Sequence, residues 1–189
     1  GDLDQTVTLA RAVYTAEPHR TDALLLLVRA LIYRSYRDYD RAADRQVAVQ
    51  LANVAVNRYA ADPDALTARA LALHANGDSL EAFRMAERAL IVAPQHILAR
   101  ATLALDYSRL GVFDRALSDS EQALADAQNM LSEWRYDVLR ARAVILSDVG
   151  RYEEALKVNA QAITLNPRLA VTHFERALYA LQLGDFNTA

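Results

Sequence analysis

"RYDVLRARAVILSDVGRYEEALKVNAQAITLNP", Arg135 to Pro167, reads as two helices folded about one glycine. Gly150 stands where a helix must stop and the chain must turn, because glycine alone enters the left-handed backbone region without steric cost. Ala143 lies seven places before it, and Tyr152, Ala155 and Ala162 lie two, five and twelve places after it. Pro167 closes the stretch and cannot continue a helix. Small residues on facing helices let two backbones approach closely, which predicts an antiparallel pair.

The same arrangement recurs along the chain. The five glycines open "GDLDQTV" at Gly1, "GDSLEAF" at Gly77, "GVFDRAL" at Gly111, "GRYEEAL" at Gly150 and "GDFNTA" at Gly184, and "RDYDRAA" at Arg37 fills the one gap without a glycine. Gly77 to Gly111 and Gly150 to Gly184 are both 34 residues. Two places after the turn stand Leu3, Tyr39, Phe113, Tyr152 and Phe186, with Ser79 the exception. Five places after stand Ala42, Ala82, Ala116, Ala155 and Ala189, with Thr6 in the first copy. Seven before stand Ala30, Ala70, Ala104, Ala143 and Ala177, and seventeen after stand Pro18, Pro94 and Pro167. A fixed period of this size marks a helical solenoid, whose hairpins bury their apolar faces only by stacking. The expected helices run over 2–17, 22–36, 39–60, 63–76, 79–92, 96–110, 113–128, 132–149, 152–165 and 169–183. Asp2 with Gln5, and Asp78 with Glu81, have the spacing of capping boxes.

These columns resemble those of the tetratricopeptide repeat family, over essentially the whole chain. The resemblance implies an all-α fold, a right-handed α-α superhelix (solenoid) of antiparallel helix pairs. It also implies that the first helix of each repeat lines a concave face that holds other proteins or peptides. The boundaries expected are a half repeat 1–20, repeats at about 21–62, 63–95, 96–131 and 132–168, and a partial repeat 169–189, as a segment of a longer protein. The half repeats at the two ends leave the helix at 169–183 with an uncovered face.

Two departures from the period matter. Arg37 to Gly77 is 40 residues, with the excess in "RQVAVQLANVAVNRYAAD", which predicts a second helix longer by more than a turn. Gly111 to Gly150 carries five extra residues near "ADAQNMLSEW", where the closing proline is missing and Trp134 is expected to plug the junction.

By the same resemblance, the groove takes residues six, ten, three and two places before each turn. Six before, the column is wholly apolar: Leu31, Leu71, Leu105, Val144 and Leu178. Ten before stand Leu27, Thr67, Ala101, Arg140 and Phe174. Arg34, His74 and Arg109 flank them. Members of the family that clamp a C-terminal carboxylate use lysine and asparagine at such places. Here only Arg140 offers a suitable cation, and Lys157, the single lysine, lies on a second helix. The expectation is an apolar groove without a carboxylate clamp, suited to an amphipathic helix or an extended peptide with apolar anchors and some acidic residues.

Other chemistry finds little support in the residues. The net charge is −3 and the longest apolar run, Ala23 to Val28, stops at Arg29, so neither nucleic acid nor membrane is expected as partner. Cysteine is absent, which excludes disulfides and thiolate metal sites and leaves the compartment open. His19, His74, His96 and His173 show no zinc-pair spacing, and His173 shares a column with Leu26, Leu66 and Leu139, which predicts a partly buried packing residue. No glycine loop cradles phosphate and no serine sits in a nucleophile motif, so no enzyme, cofactor or metal is expected. Arg29, Arg69, Arg142 and Arg176 form a ladder eight places before the turn, best read as packing and pairing residues. "YRSYRDYDR" (Tyr33 to Arg41) interleaves aromatic and basic residues, yet Tyr33 and Tyr39 fall in inward columns with Tyr107, Phe113 and Tyr152. The function expected is a protein-interaction scaffold. A regulatory or sensor segment of a larger signalling protein or enzyme is the alternative, and a homodimer through open solenoid ends is a third.

Overall fold

The computed structural model describes residues 2–37 and 43–184. Gly1, Tyr39, Ala42, Phe186 and Ala189 of the repeat columns lie outside them. Among the described residues are ten α-helices, one 3-10 turn and no strand. They are α1 (Leu3–Ala16), α2 (Thr21–Arg37), α3 (Ala43–Arg58), α4 (Pro63–Asn76), α5 (Ser79–Val92), α6 (Ile97–Arg109), α7 (Phe113–Asp126), α8 (Ser132–Asp148), α9 (Tyr152–Leu165) and α10 (Ala170–Gln182). Their ends fall close to the expected positions because punctuation residues set them. The described part of α3 has 16 residues against 14 in α5, α7 and α9; it ends at Arg58, two residues short of the expected end at 60, and the expected start at 39 lies outside the described residues.

The turn glycines do what the period requires. Gly77 has φ +95, Gly111 φ +76 and Gly150 φ +77. At Gly77 the glycine N–H donates to His74 O at 3.1 Å, and the next N–H, of Asp78, donates to Leu73 O at 2.9 Å. Gly111 with Val112, and Gly150 with Arg151, repeat the pattern. This double bond satisfies two carbonyls at the helix end and reverses the chain.

The N-terminal caps depart from expectation. Asp2 accepts from Asp4 N–H at 2.9 Å and caps α1, but Asp78 accepts from the Asn76 amide and makes no cap to α5. Instead Asp62 caps α4, accepting from Ala65 N–H at 2.8 Å beside a proline at the first helical position. His96 performs the same task for α6. Its Nδ1 accepts from Ala99 N–H at 3.2 Å, which places the ring proton on Nε2, and Nε2 donates to Asp64 Oδ1 at 2.9 Å. Replacing His96 by Ala removes both bonds; the expected loss is about 1–2 kcal/mol in urea unfolding, with helix content retained.

The chain divides into two compact units, Gly1–Thr102 and Leu103–Ala189, and the division falls inside α6. In the first unit α2 packs against α1, α3 and α4, and α4 against α5. That enclosure leaves Leu24, Leu27, Leu31 and Val28 with no exposed surface. In the second unit α8 packs against α7 and α9, and α9 against α10. The alanine columns lie at these contacts: Ala104 and Ala116 pack with Ile145, and Ala143 and Ala155 with Leu146 and Tyr179. In the stretch that carries the five extra residues, Ala127–Asn129 form a 3-10 turn after α7. Trp134 is half-buried in the first turn of α8, and Tyr136, two residues on, is fully buried. Tyr33 is buried as expected, whereas Phe113 is exposed at the start of α7.

Candidate functional site

The residues expected to line a groove divide into two kinds. In the first unit Leu27, Leu31, Thr67 and Ala101 are buried and offer no surface. Thr67 donates its hydroxyl to Pro63 O at 2.7 Å, within its own helix. Arg34 is committed as well. Its Nε and Nη2 donate to the Asp44 carboxylate at 2.6 and 2.8 Å, and Nη1 donates to Asp4 Oδ1 at 3.0 Å. Asp44 first, then Asp4, hold the guanidinium proton more tightly than usual, against the cost of burial. Arg37 adds a contact to the other Asp4 oxygen at 2.9 Å, so α1, α2 and α3 are tied at one point. Leu71 and His74, on α4, are half-buried and reach the surface.

In the second unit Leu105 and Val144 are half-buried and Arg109 is exposed. The outward face of α10 is the most open: Phe174 is 63% exposed, Leu178 42% and Leu181 46%. These three lie at i, i+4 and i+7, one helical stripe. Arg140 does not stand in solvent. Its Nη2 donates to Glu175 Oε1 at 2.5 Å and its Nε to Glu175 Oε2 at 3.2 Å, a two-point contact from α8 to α10.

Around that pair lies a polar cluster absent from the sequence reading. The Tyr136 and Thr172 hydroxyls meet, and Asn159 of α9 donates to Thr172 O at 3.1 Å. Burial pushes the Tyr136 hydroxyl up to about 12, and that of Tyr179 further. Glu175 is also pushed up by burial, although Arg140 pulls the other way through charge and hydrogen bonding. The sign of the consequence is fixed. The folded chain keeps the Glu175 proton at a pH where the unfolded chain has lost it. Stability contributed by Glu175 is therefore full below its unfolded value and falls as pH rises through the folded one. Comparing the pH dependence of unfolding for wild type and Glu175→Gln from about pH 4 to neutrality isolates this slope; the wild type is expected to lose stability relative to the variant as pH rises.

A signal for Glu175 was present. Nine places before each turn stand Val28, Ala68, Thr102, Ala141 and Glu175, one ionisable residue in a column of small or apolar ones. Asn159 stands in a column with Ala10, Gln46, Ala86 and Ser120, so its position carries no such contrast. His173 is a correction: it is exposed, and its Nε2 donates to Pro167 O at 2.8 Å. Thr172 and Glu175 turn inward in its place.

Three arginines of the ladder are engaged internally. Arg29 lies 4.9 Å from the centroid of the Tyr33 ring, Arg69 is 3.6 Å from Glu81, and Arg142 donates to Leu117 O at 2.7 Å and Ser120 Oγ at 2.8 Å. Among the described residues no three His, Asp or Glu side chains gather as a metal site, and no helix is long and apolar enough to cross a membrane.

Stacked helix hairpins, three of them turned by a left-handed glycine, define a helical-repeat protein. No family model matches the sequence, and no curated protein does. Solved structures do match. A thermophilic TPR protein of Thermus thermophilus, TTC0263, is similar at TM-score 0.64 and 22% identity, over 96% of this chain and 90% of that one. A tetratricopeptide repeat protein from Parabacteroides merdae ATCC 43184 is similar at TM-score 0.56 and 20% identity, over 98% of this chain and 68% of that one. The MamA fragment from residue 41 to the end, of Desulfovibrio magneticus RS-1, is similar at TM-score 0.55 and 18% identity, over 87% and 88%. The fold of this chain is the tetratricopeptide repeat fold.

Proposed function

We propose that the protein is a protein-interaction scaffold, whose first helices hold a peptide or partner helix in an apolar groove without a clamp for a chain-terminal carboxylate. The observation that carries this reading is the surface left at the groove columns once the core is built. Leu71, Leu105, Val144, Phe174 and Leu178 remain accessible, while Leu27 and Leu31 do not. The lack of a clamp follows from Arg34 and Arg140 being held by carboxylates of this chain. Protein is favoured over nucleic acid as partner because Arg29, Arg69 and Arg142 are spent on internal contacts. The same reading treats residues 1–189 as one array with the boundaries given above, and it assigns the chain no catalysis.

Two separate variants test it. Leu71→Glu and Leu105→Glu each place a charge at an accessible apolar position on one first helix. Each is expected to lower capture of proteins from native lysate at least about tenfold, with circular dichroism unchanged. Capture equal to wild type by both folded variants removes the groove as the binding surface.

A further inference from the structure

We propose that Asn76–Gly77, at the turn between α4 and α5, is a site of spontaneous deamidation that the folded turn holds closed through the Asp78 carboxylate. The inference is independent of the groove reading, since it concerns a reaction of the chain itself with water.

The sequence supplies the reactive pair. Asn76 is the only asparagine followed by glycine; every other one precedes a residue with a side chain. Having no side chain, Gly77 leaves its own amide nitrogen open to close approach. At the other glycine turns the preceding place is held by Leu110, Val149 and Leu183, which carry no amide. In the reaction the Gly77 nitrogen attacks Cγ of Asn76. A nitrogen–carbon bond forms there and the Cγ–Nδ2 bond breaks. Nδ2 takes the proton that the Gly77 nitrogen gives up and leaves as ammonia. Water then adds to one or the other carbonyl of the cyclic imide and opens it to aspartate or isoaspartate. Water is the only co-reactant.

The structure supplies both access and restraint. Asn76 and Gly77 are exposed, so water reaches them. Yet Asn76 is the last residue of α4, and a helical ψ of about −42° does not bring the next nitrogen over Cγ. The ring closes only after Asn76 leaves the helix. Three hydrogen bonds resist that step. Gly77 N–H donates to His74 O at 3.1 Å, Asp78 N–H to Leu73 O at 2.9 Å, and Asn76 Nδ2 to Asp78 Oδ2 at 2.9 Å. The first engages the N–H whose proton must be lost. The third turns the leaving amide toward Asp78, whose side chain makes no cap to α5. Either product keeps the turn from closing as before. A carboxylate replaces the amide donor that faced Asp78, and it sets negative charge at the C-terminal end of α4. Isoaspartate also adds a methylene to the main chain inside the paired bonds that reverse it.

The 189-residue chain, aged at mildly alkaline pH and mapped by peptide mass spectrometry, tests this. In urea, position 76 is expected to convert ahead of every other asparagine. In the native chain its rate should be at least about tenfold lower, because conversion waits on local opening. Asp78→Ala should raise the native rate about threefold or more while leaving the urea midpoint and the rate in urea unchanged. Asp78→Asn, which keeps an oxygen acceptor at that place, should restore protection. Equal native and unfolded rates overturn the proposal, as does a folded Asp78→Ala chain that converts no faster than wild type. Should Asp78→Ala not fold, hydrogen exchange decides. Aged chain converted at position 76 should exchange the Gly77 and Asp78 amides faster than unconverted chain, and equal exchange overturns the proposal.

Discussion

Leu31→Ala is expected to cost about 2–5 kcal/mol of stability, the largest effect of any single change considered. Leu31 belongs to the column that resemblance places in the groove, yet none of its surface is exposed. α1, α3 and α4 enclose α2, so truncation opens a cavity among packed side chains rather than smoothing a surface. Urea unfolding of the first unit measures the loss. Leu71→Ala, at the same repeat position on α4, starts from a half-buried side chain and should cost well under half as much. Equal costs for the two would show that α2 is not enclosed as described. Binding tells them apart in the opposite sense: Leu31→Ala should leave partner capture unchanged wherever the protein is folded.

Arg34→Met is expected to cost about 2–3 kcal/mol. The guanidinium and the Asp44 carboxylate each keep only 13% exposure of the side chain, so the pair lies in a poorly hydrated setting. Removing the cation leaves Asp44 in that setting without its guanidinium, while Asp4, 41% exposed, loses one contact and keeps that of Arg37. Arg34→Met together with Asp44→Leu removes both charges. It should recover most of the loss, because the cost comes from the stranded carboxylate rather than from the missing attraction. Thermal unfolding of the single and double variants checks this. A double variant as unstable as the single one contradicts the account.

Arg34 and Leu31 show where reading by column stops. Both occupy positions that the repeat assigns to a binding face, and both belong to the interior of the first unit instead. Column position says which way a residue points from its own helix. It does not say what lies opposite. The first unit places α1 and α3 around α2, and Asp4 and Asp44 arrive from helices 30 and 10 residues away in sequence. The second unit reverses the lesson on α10, where Phe174 and Leu178 stay open and Glu175, which has no counterpart among the other repeats, turns inward to Arg140.

What the sequence determined by itself is the succession of helices and turns. Gly77, Gly111 and Gly150 reach left-handed backbone that other residues enter only with strain, and alanine at the facing positions admits close packing, so both signals are local and periodic. Tertiary structure alone decided which groove positions remain surface, which cations remain available, and which carboxylate, Asp64 of α4, holds the His96 ring. Each of those depends on a partner from a distant helix, and burial and pairing are properties of the packed neighbourhood that no single repeat contains.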